Sequence, residues 1–221
     1  MTTTIPIQHF NKPIIVAYPR SGTNYVCQML KLVTNKAYDD VEKEEDFWIR
    51  RTHDVRGTDK IGRPTIEPLF NIDGSYRYNK IILLLRDFYD GYIRTNKKLT
   101  YGKNEPLKAR LNATALESYF VNLRAYDNYP NCKLLLYYED FIGRFEQLYP
   151  LFKFLNLENY ENITKQQIQD AEFCSRRTYN MKQKHKYHIA KYDNAEREWL
   201  CDYVECKYPK LFEKYLQRYV Q

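Results

Sequence analysis

Short runs of aliphatic residues alternate along this chain with segments whose apolar residues recur at helical spacing. Short strand-like runs with a continuous apolar centre occupy residues 13–18 (PIIVAY), 80–86 (KIILLLR) and 133–138 (KLLLYY). Runs of this length without polar alternation are typical of strands that are covered on both faces of a parallel sheet. Because helical patterns separate them, we predict an α/β fold with a mostly parallel central sheet flanked by helices. We expect a single domain over residues 1–221.

Helical spacing predicts a first helix over residues 24–36. A later helix is expected to run to residue 155 and to break at Pro150, because an internal proline removes a helical hydrogen bond. Thr164 is predicted to cap a short helix that ends at Phe173. The remaining predictions are helices over 89–98, 107–126 and 194–219 with an interruption near Pro209, a strand over 47–52, and a long irregular connection over 54–79.

Ligands of open α/β sheets bind beyond the carboxyl ends of the strands. The residues that directly follow the predicted strands are therefore the first candidates for a functional site. These segments are residues 19–24, 52–53, 86–94 and 138–140.

Charge and composition narrow the classes of partner. Lys and Arg number 35 against 28 Asp and Glu, a net charge of +7, which favours an anionic partner without saying whether it is a nucleic acid, a membrane or a small nucleotide. No apolar run approaches the ~18–20 residues that span a bilayer, and the first residues lack the pattern of a secretory signal. The five cysteines form no CxxC pair. We therefore expect a cytoplasmic protein with reduced thiols and no membrane partner.

Residues 18–25 (YPRSGTNY) follow the first strand and open the first helix. A turn in this position points backbone N–H groups and the helix dipole at a bound anion. Gly22 permits close approach of the backbone, Ser21 and Thr23 add hydroxyl donors, and Arg20 adds positive charge. An ordinary capped strand–helix turn is the alternative. The full G-x-x-x-x-G-K-[ST] pattern is absent, which disfavours a standard P-loop kinase or GTPase.

Residues 19–25 (PRSGTNY) resemble the P-[KR]-[ST]-G-[ST]-x-[WLY] loop of sulfotransferases, which in that family binds the 5′-phosphosulfate end of 3′-phosphoadenosine 5′-phosphosulfate (PAPS). Residues 51–53 (RTH) resemble the K-T-H segment that carries the catalytic histidine in the cytosolic branch. Residues 83–90 (LLLRDFYD) resemble the strand–R-[ND]-P-x-D motif, and residues 134–141 (LLLYYEDF) resemble the strand–Y-E-D-[LF] segment. The resemblance covers about residues 12–157.

This resemblance implies a PAPS-dependent sulfotransferase with a P-loop-like phosphosulfate-binding loop after the first strand. It implies that His53 is the general base and that Arg20 stabilises the departing nucleotide, so both are predicted to be catalytic. It also implies that Arg86 binds the 3′-phosphate. The residues predicted to bind PAPS are Arg20, Ser21, Gly22, Thr23, Asn24, Tyr25, Arg86, Arg94, Tyr138, Lys182 and Lys184.

The sequence departs from the family pattern in its second half. Phe88 replaces the proline of the second motif, and Arg94 replaces the serine that usually follows the arginine, where it could bind the 3′-phosphate more strongly than a hydroxyl. The C-terminal R-K-G loop is missing, and the basic stretch 176–191 occupies the corresponding place. Lys182, Lys184 and Lys186 are the candidates in that stretch to cover the nucleotide, and the sequence does not single out one of them.

Each candidate has a structural alternative. His53 could be an exposed or structural histidine, although an ordinary pKa near ~6.5 suits it to accept a proton near neutrality. Arg86 could pair with a neighbouring carboxylate instead of a phosphate. Tyr25 and Tyr138 could pack in the core instead of lining the nucleotide. The Glu139–Asp140 pair is interpreted as structural, as the resemblance implies.

The predicted reaction is in-line transfer of a sulfuryl group from PAPS to a hydroxyl or amine, with 3′,5′-ADP as product and no metal. A small molecule or carbohydrate is the expected acceptor, no nucleic-acid partner is expected, and the sequence assigns no oligomeric state. One alternative is a basic nucleic-acid-binding module, which the net charge, the lysines of 176–191 and the 22 tyrosines favour. Another is a nucleotide kinase with a degenerate phosphate loop.

Overall fold

A four-stranded parallel sheet forms the centre of the protein in a computed structural model, which describes residues 10–35, 49–56, 69–71, 73–96, 113–181 and 194–220. The strands are β1 (Phe10–Ala17), β2 (Arg50–Thr52), β3 (Tyr78–Leu85) and β4 (Cys132–Tyr137). They lie in the order β2-β1-β3-β4, and each neighbouring pair is parallel. The α/β fold that the sequence predicts is therefore confirmed.

Helices connect and cover these strands. Those of the described residues are α1 (Thr23–Thr34), α2 (Phe88–Asn96), α3 (Ala113–Asn128), α4 (Tyr138–Phe141), α5 (Tyr149–Phe154), α6 (Lys165–Met181) and α7 (Asn194–Lys207). Shorter helical turns are Phe145–Leu148, Tyr160–Asn162, Pro209–Leu211, Phe212–Leu216 and Gln217–Tyr219.

The aliphatic run of β3 shows why the sheet is buried on both faces. Ile81, Leu83 and Leu85 pack on one face against α2, α3, α7 and the C-terminal turns. Ile82 and Leu84 pack on the opposite face against α1, α5 and the segment between β4 and α5. Successive strand residues point to opposite faces, so only a continuous apolar run can satisfy both layers.

Pro150 begins a helix and does not break one. It lies in the first turn of α5, where the missing proline N–H is harmless because that group has no helical acceptor. The prediction of a helix that runs to residue 155 with a break or kink at Pro150 is wrong at this point. The chain instead forms α4, the turn Phe145–Leu148 and α5 in succession.

Thr164 caps α6 as predicted, but the helix is longer than expected. The Thr164 N–H donates to Oε1 of Gln167 at 2.9 Å, and the Gln167 N–H lies 3.3 Å from Oγ1 of Thr164. This reciprocal pair is a capping box. The helix passes the predicted end at Phe173 and continues to Met181, so the first residues of the basic stretch 176–191 are helical.

Candidate active site

Parallel strand order brings the predicted site segments to one edge of the sheet. Tyr18 follows β1, His53 follows β2, Arg86 follows β3 and Tyr138 follows β4. The register aligns Val16 of the first strand with both Thr52 and Leu83, so these strand ends lie side by side. The site is built around the turn between β1 and α1.

That turn contains two residues in the left-handed backbone conformation, Arg20 with φ 77° and Gly22 with φ 89°. The Ser21 N–H donates to the Tyr18 carbonyl at 3.2 Å, and the Ser21 side chain is buried. Glycine adopts this conformation readily, whereas an L-residue such as Arg20 loses roughly 1–2 kcal/mol. Strain of this kind clusters at functional turns.

The first turn of α1 leaves polar groups available. Gly22 is the N-cap and offers no side chain to the helix. Within the described part of the chain, no backbone hydrogen bond uses the N–H of Gly22, Thr23 or Asn24. Oγ1 of Thr23 is buried and has no hydrogen-bond partner among the described residues. An unpaired buried hydroxyl costs roughly 1–3 kcal/mol, so the combination fits a small anion that accepts from these donors.

Gly22 is required for a second reason, the ring of Tyr138. A Cβ on Gly22 would lie within 2.5 Å of Cε2 of Tyr138, so any side chain here would displace the ring. Tyr138 is half-buried at the start of α4 and also packs edge-on against Phe141. The β4 end is thereby fixed against the turn that follows β1.

Arg86 links the ends of β1 and β3. Its Nη1 donates to the carbonyl of Arg20 at 3.2 Å, and its guanidinium carbon lies 4.5 Å from the centre of the Tyr138 ring. Nη2 forms an ion pair with Oδ2 of Asp90 at 2.7 Å. The Arg86 side chain is 19% exposed, so it lies at the rim of the site with its planar group held on three sides. The ion pair with Asp90 is one of the alternatives that the sequence left open.

His53 is held by the main chain of β1. Its exposed ring places Nδ1 2.7 Å from the carbonyl oxygen of Ala17. A carbonyl oxygen can only accept, so Nδ1 carries the hydrogen and the lone pair of the neutral ring belongs to Nε2. This is the tautomer in which Nε2 can accept a proton.

Two residues of α3 that the sequence analysis missed hold the turn after β2. Oγ of Ser118 donates to Oδ2 of Asp54 at 2.6 Å, and Nδ2 of Asn122 donates to the carbonyl of His53 at 3.0 Å. Both side chains are buried, and Asn122 is four positions after Ser118, which places them on one face of the helix. The sequence signal that could have identified them is a pair of polar residues at this spacing inside an apolar helical stripe.

Asn24 and Tyr25, both predicted to bind PAPS, have partners elsewhere in the protein. Oδ1 of Asn24 accepts from Nη1 of Arg51 at 3.2 Å. Tyr25 is buried, stacks on Phe141 with ring centres 5.9 Å apart, and donates its hydroxyl to Glu172 of α6 at 2.9 Å. Burial and the Glu172 carboxylate raise the pKa of Tyr25. The structure thus gives Tyr25 the core environment that was the alternative to stacking on adenine.

The acidic residues near the site bind the C-terminal part of the chain. Glu139 accepts from the N–H of Asp87 at 3.0 Å and from the hydroxyl of Tyr219 at 3.1 Å. Asp140 forms a two-bond pair with Arg218 at 2.5 and 3.0 Å. Burial is the main cause that raises the pKa of Tyr219. These contacts occupy both carboxylates and agree with a structural role for the pair.

Asp87 connects α2 to α7. Its Oδ1 accepts the N–H groups of Tyr89 at 2.9 Å and Asp90 at 3.2 Å, which satisfies the first turn of α2. Its Oδ2 pairs with Nη2 of Arg197 at 2.7 Å. The residue after Arg86 therefore fixes the helix that carries Asp90.

Three predicted nucleotide-binding residues fall beyond what the structure describes. Arg94 lies in α2, but its side chain is outside the described part. Lys182 and Lys184 lie outside the described residues altogether. Their predicted roles stay predictions.

No group of three or more His, Cys, Asp and Glu side chains within the described ranges is arranged to hold a metal ion. Among the described residues, no helix has the length and apolarity needed to cross a membrane.

No protein-family model matches this sequence. No curated protein matches it at a significant level. Among solved structures, the chain is similar to mouse sulfotransferase SULT7A1 complexed with PAP, with a TM-score of 0.44 and 14% identity over 75% of this chain. The match spans 63% of the length of that protein. Likeness at this level leaves function to be argued from the residues themselves.

Proposed function

We propose that this protein transfers a sulfuryl group from PAPS to a hydroxyl or amine acceptor. One observation carries the proposal: residues from three distant parts of the chain converge on the turn after β1. Arg86 reaches the Arg20 carbonyl, His53 reaches the Ala17 carbonyl, and Tyr138 covers Gly22. These are the segments that resemble sulfotransferase motifs, and the sheet brings them together at its ligand-binding edge.

The turn after β1 is the proposed site for the 5′-phosphosulfate end. The N–H groups at the start of α1 and the buried Thr23 hydroxyl fit an anion, since each is a donor without a backbone partner in the described part of the chain. The positive end of the α1 dipole adds to the attraction. In this assignment Ser21 is structural, because its N–H closes the turn and its side chain is buried.

Arg86 is the proposed partner of the 3′-phosphate. A guanidinium has five N–H donors, and the contacts to Arg20 and Asp90 leave further donors for a phosphate. The Tyr138 ring, 4.5 Å from the guanidinium carbon, holds the guanidinium plane in place before a ligand arrives, which lowers the entropy lost on binding.

PAPS supplies the sulfuryl group and departs as 3′,5′-ADP. His53, with Nδ1 donating to Ala17, carries the lone pair of its neutral ring on Nε2, the nitrogen that would take the proton of the attacking hydroxyl. Arg20 and the N–H groups of the turn stabilise negative charge on the departing 5′-phosphate. We propose a small molecule or a carbohydrate as the acceptor.

Titration calorimetry with four ligands tests this function. The wild-type protein should bind 3′,5′-ADP more tightly than 5′-AMP, which lacks the 3′-phosphate, and more tightly than ATP. A preference for ATP would support a nucleotide kinase instead. Binding of a single-stranded RNA with no response to 3′,5′-ADP would support the nucleic-acid module. Incubation with radiolabelled PAPS and a panel of phenols, alcohols and sugars then identifies the acceptor.

Replacing Thr23 by valine should affect stability and binding in opposite directions. Valine keeps the shape and removes a buried hydroxyl that has no partner among the described residues, so the free energy of unfolding should stay equal or rise by about 1 kcal/mol. The affinity for 3′,5′-ADP should fall about tenfold or more, since a hydrogen bond to a charged group contributes ~1.5–3 kcal/mol. Urea unfolding and calorimetry measure the two effects.

Thr34→Val is the matched control, because it makes the same change at the other end of α1. Oγ1 of Thr34 already donates to the Leu30 carbonyl at 2.7 Å, so this variant should lose a little stability and no affinity. Unchanged affinity in Thr23→Val would remove the hydroxyl from the anion site.

A further inference from the structure

The turn that carries His53 is held from behind by α3. Asn122 contributes both halves of its amide: Nδ2 donates to the His53 carbonyl at 3.0 Å, and Oδ1 accepts from the Val55 N–H at 3.0 Å. One side chain thus bridges the two peptide groups that flank Asp54. Asn122 is only 2% exposed, so water competes little for these bonds.

Asp54 closes the same turn from its centre. Its buried carboxylate accepts from Ser118 at 2.6 Å, from Nε and Nη2 of Arg56 at 2.9 and 2.6 Å, and from the Arg56 N–H at 2.9 Å. Oγ1 of Thr52 donates to the Asp54 carbonyl at 2.8 Å. The backbone of the turn is therefore fixed, while the His53 ring itself is exposed.

An exposed ring needs such support to keep one orientation. The bond from Nδ1 to the Ala17 carbonyl orients the ring, and its 2.7 Å length depends on where the backbone of residue 53 lies relative to β1. That position is set from one side by pairing of β2 with β1 and from the other by the amide of Asn122.

We propose that Asn122 is a positioning residue for His53. By bridging the carbonyl of residue 53 and the N–H of residue 55, it keeps the ring against Ala17 and so selects the tautomer with hydrogen on Nδ1. The catalytic consequence rests on the proposed function, because a general base needs its lone pair on the nitrogen that faces the acceptor. The effect on the ring is independent of any reaction.

The test is ¹⁵N NMR of the histidine rings at alkaline pH, where the imidazole is neutral, in the intact protein. The His53 signals are identified by their loss in a His53→Ala sample. Wild-type His53 should show hydrogen on Nδ1. In Asn122→Ala the population should move toward the opposite tautomer, because the turn loses both bonds.

Asn122→Asp is the second variant, since it keeps the shape and an acceptor for the Val55 N–H but loses the N–H donor to His53. It should shift the tautomer in the same direction even if Asn122→Ala is too unstable to study. Tyr129→Phe is the control: it removes one buried bond to a backbone carbonyl, that of Tyr78 at 2.6 Å, at the opposite end of β3. The His53 signals should not change in this control.

The turnover of the Asn122 variants is a second, independent measurement. Both Asn122 variants should lower the rate by up to about 100-fold, the cost of a displacement near ~1 Å, with 3′,5′-ADP affinity unchanged. If the wild-type spectrum shows the His53 hydrogen on Nε2, Asn122 does not have the proposed positioning role. The same conclusion follows if neither Asn122 variant changes the tautomer population of His53. Absence of sulfuryl transfer in the wild type would instead refute the proposed function, and the NMR result would still decide the role of Asn122.

Discussion

The His53→Ala variant is expected to lose about 10²–10⁴-fold in turnover while it keeps the wild-type affinity for 3′,5′-ADP, the range that removal of a general base produces. The expected separation follows from the geometry. The ring is exposed and lies beside the end of β1, whereas the proposed nucleotide contacts come from the start of α1 and from Arg86. Removing an exposed ring should also leave the unfolding midpoint nearly unchanged.

His53→Asn provides the stricter comparison. Its amide nitrogen is bonded to Cγ, as Nδ1 of histidine is, so it can still donate to the Ala17 carbonyl. The amide has no lone pair basic enough to accept a proton. Turnover should fall as far as in His53→Ala, which would assign the loss to proton transfer and not to the missing contact. Steady-state rates with a saturating acceptor and calorimetry with 3′,5′-ADP measure both quantities. Near-normal turnover in His53→Asn would remove His53 from the chemistry.

The sheet was predictable from the sequence because its strands carry a pattern that few other elements share. A run such as Ile81–Leu85 is apolar at every position, and in this protein alternate residues face two different helical layers. An amphipathic helix would need polar residues at regular intervals to face water. The strand boundary was not predictable in the same way. β3 begins at Tyr78, two residues before the predicted strand, and its first three residues (YNK) do not share the aliphatic pattern that identified the rest.

Side-chain partners were not predictable, because they depend on contacts between distant parts of the chain. Tyr25 belongs to the segment that resembles the sulfotransferase loop motif. Its hydroxyl nevertheless donates a hydrogen bond to Glu172, 147 residues later. The helix that carries Glu172 was itself predicted too short. Its later turns are polar and basic and show no apolar stripe, whereas hydrogen bonding continues the helix to Met181 once it has begun.

Arg86 illustrates the same limit for the site. The motif that contains it suggests a phosphate ligand, and the structure adds an ion pair with Asp90, whose side chain is 9% exposed. Arg86→Ala alone would break this ion pair by removing one partner, which for a buried pair typically costs ~3–5 kcal/mol. The variant that tests binding must therefore remove both charges.

Arg86→Gln combined with Asp90→Asn replaces the ion pair by two neutral amides. We expect this double variant to lose about 10- to 100-fold in affinity for 3′,5′-ADP, since one or two charge-assisted hydrogen bonds contribute ~1.5–3 kcal/mol. Affinity for 5′-AMP should stay at the wild-type value, because that ligand has no 3′-phosphate. Calorimetry with the two nucleotides measures the difference directly.

Asp90→Asn alone is the control that separates charge from structure. It leaves Arg86 cationic and removes the carboxylate 2.7 Å from Nη2 that competes with a phosphate for the guanidinium. Affinity for 3′,5′-ADP should therefore be retained or increased, opposite to the double variant. The comparison is informative because both proteins lack the ion pair and differ only at residue 86.

The affinities of the double variant for the two nucleotides then distinguish two structural roles of Arg86 from the proposed binding of the 3′-phosphate. If the double variant binds 3′,5′-ADP as the wild type does, Arg86 serves only its ion pair and the 3′-phosphate has another partner. If both nucleotides lose affinity equally, Arg86 acts through the Arg20 carbonyl by holding the turn that receives the 5′ end. Only a loss confined to the 3′-phosphorylated nucleotide places that phosphate on Arg86, because a distorted turn would weaken every ligand that uses the N–H groups of α1.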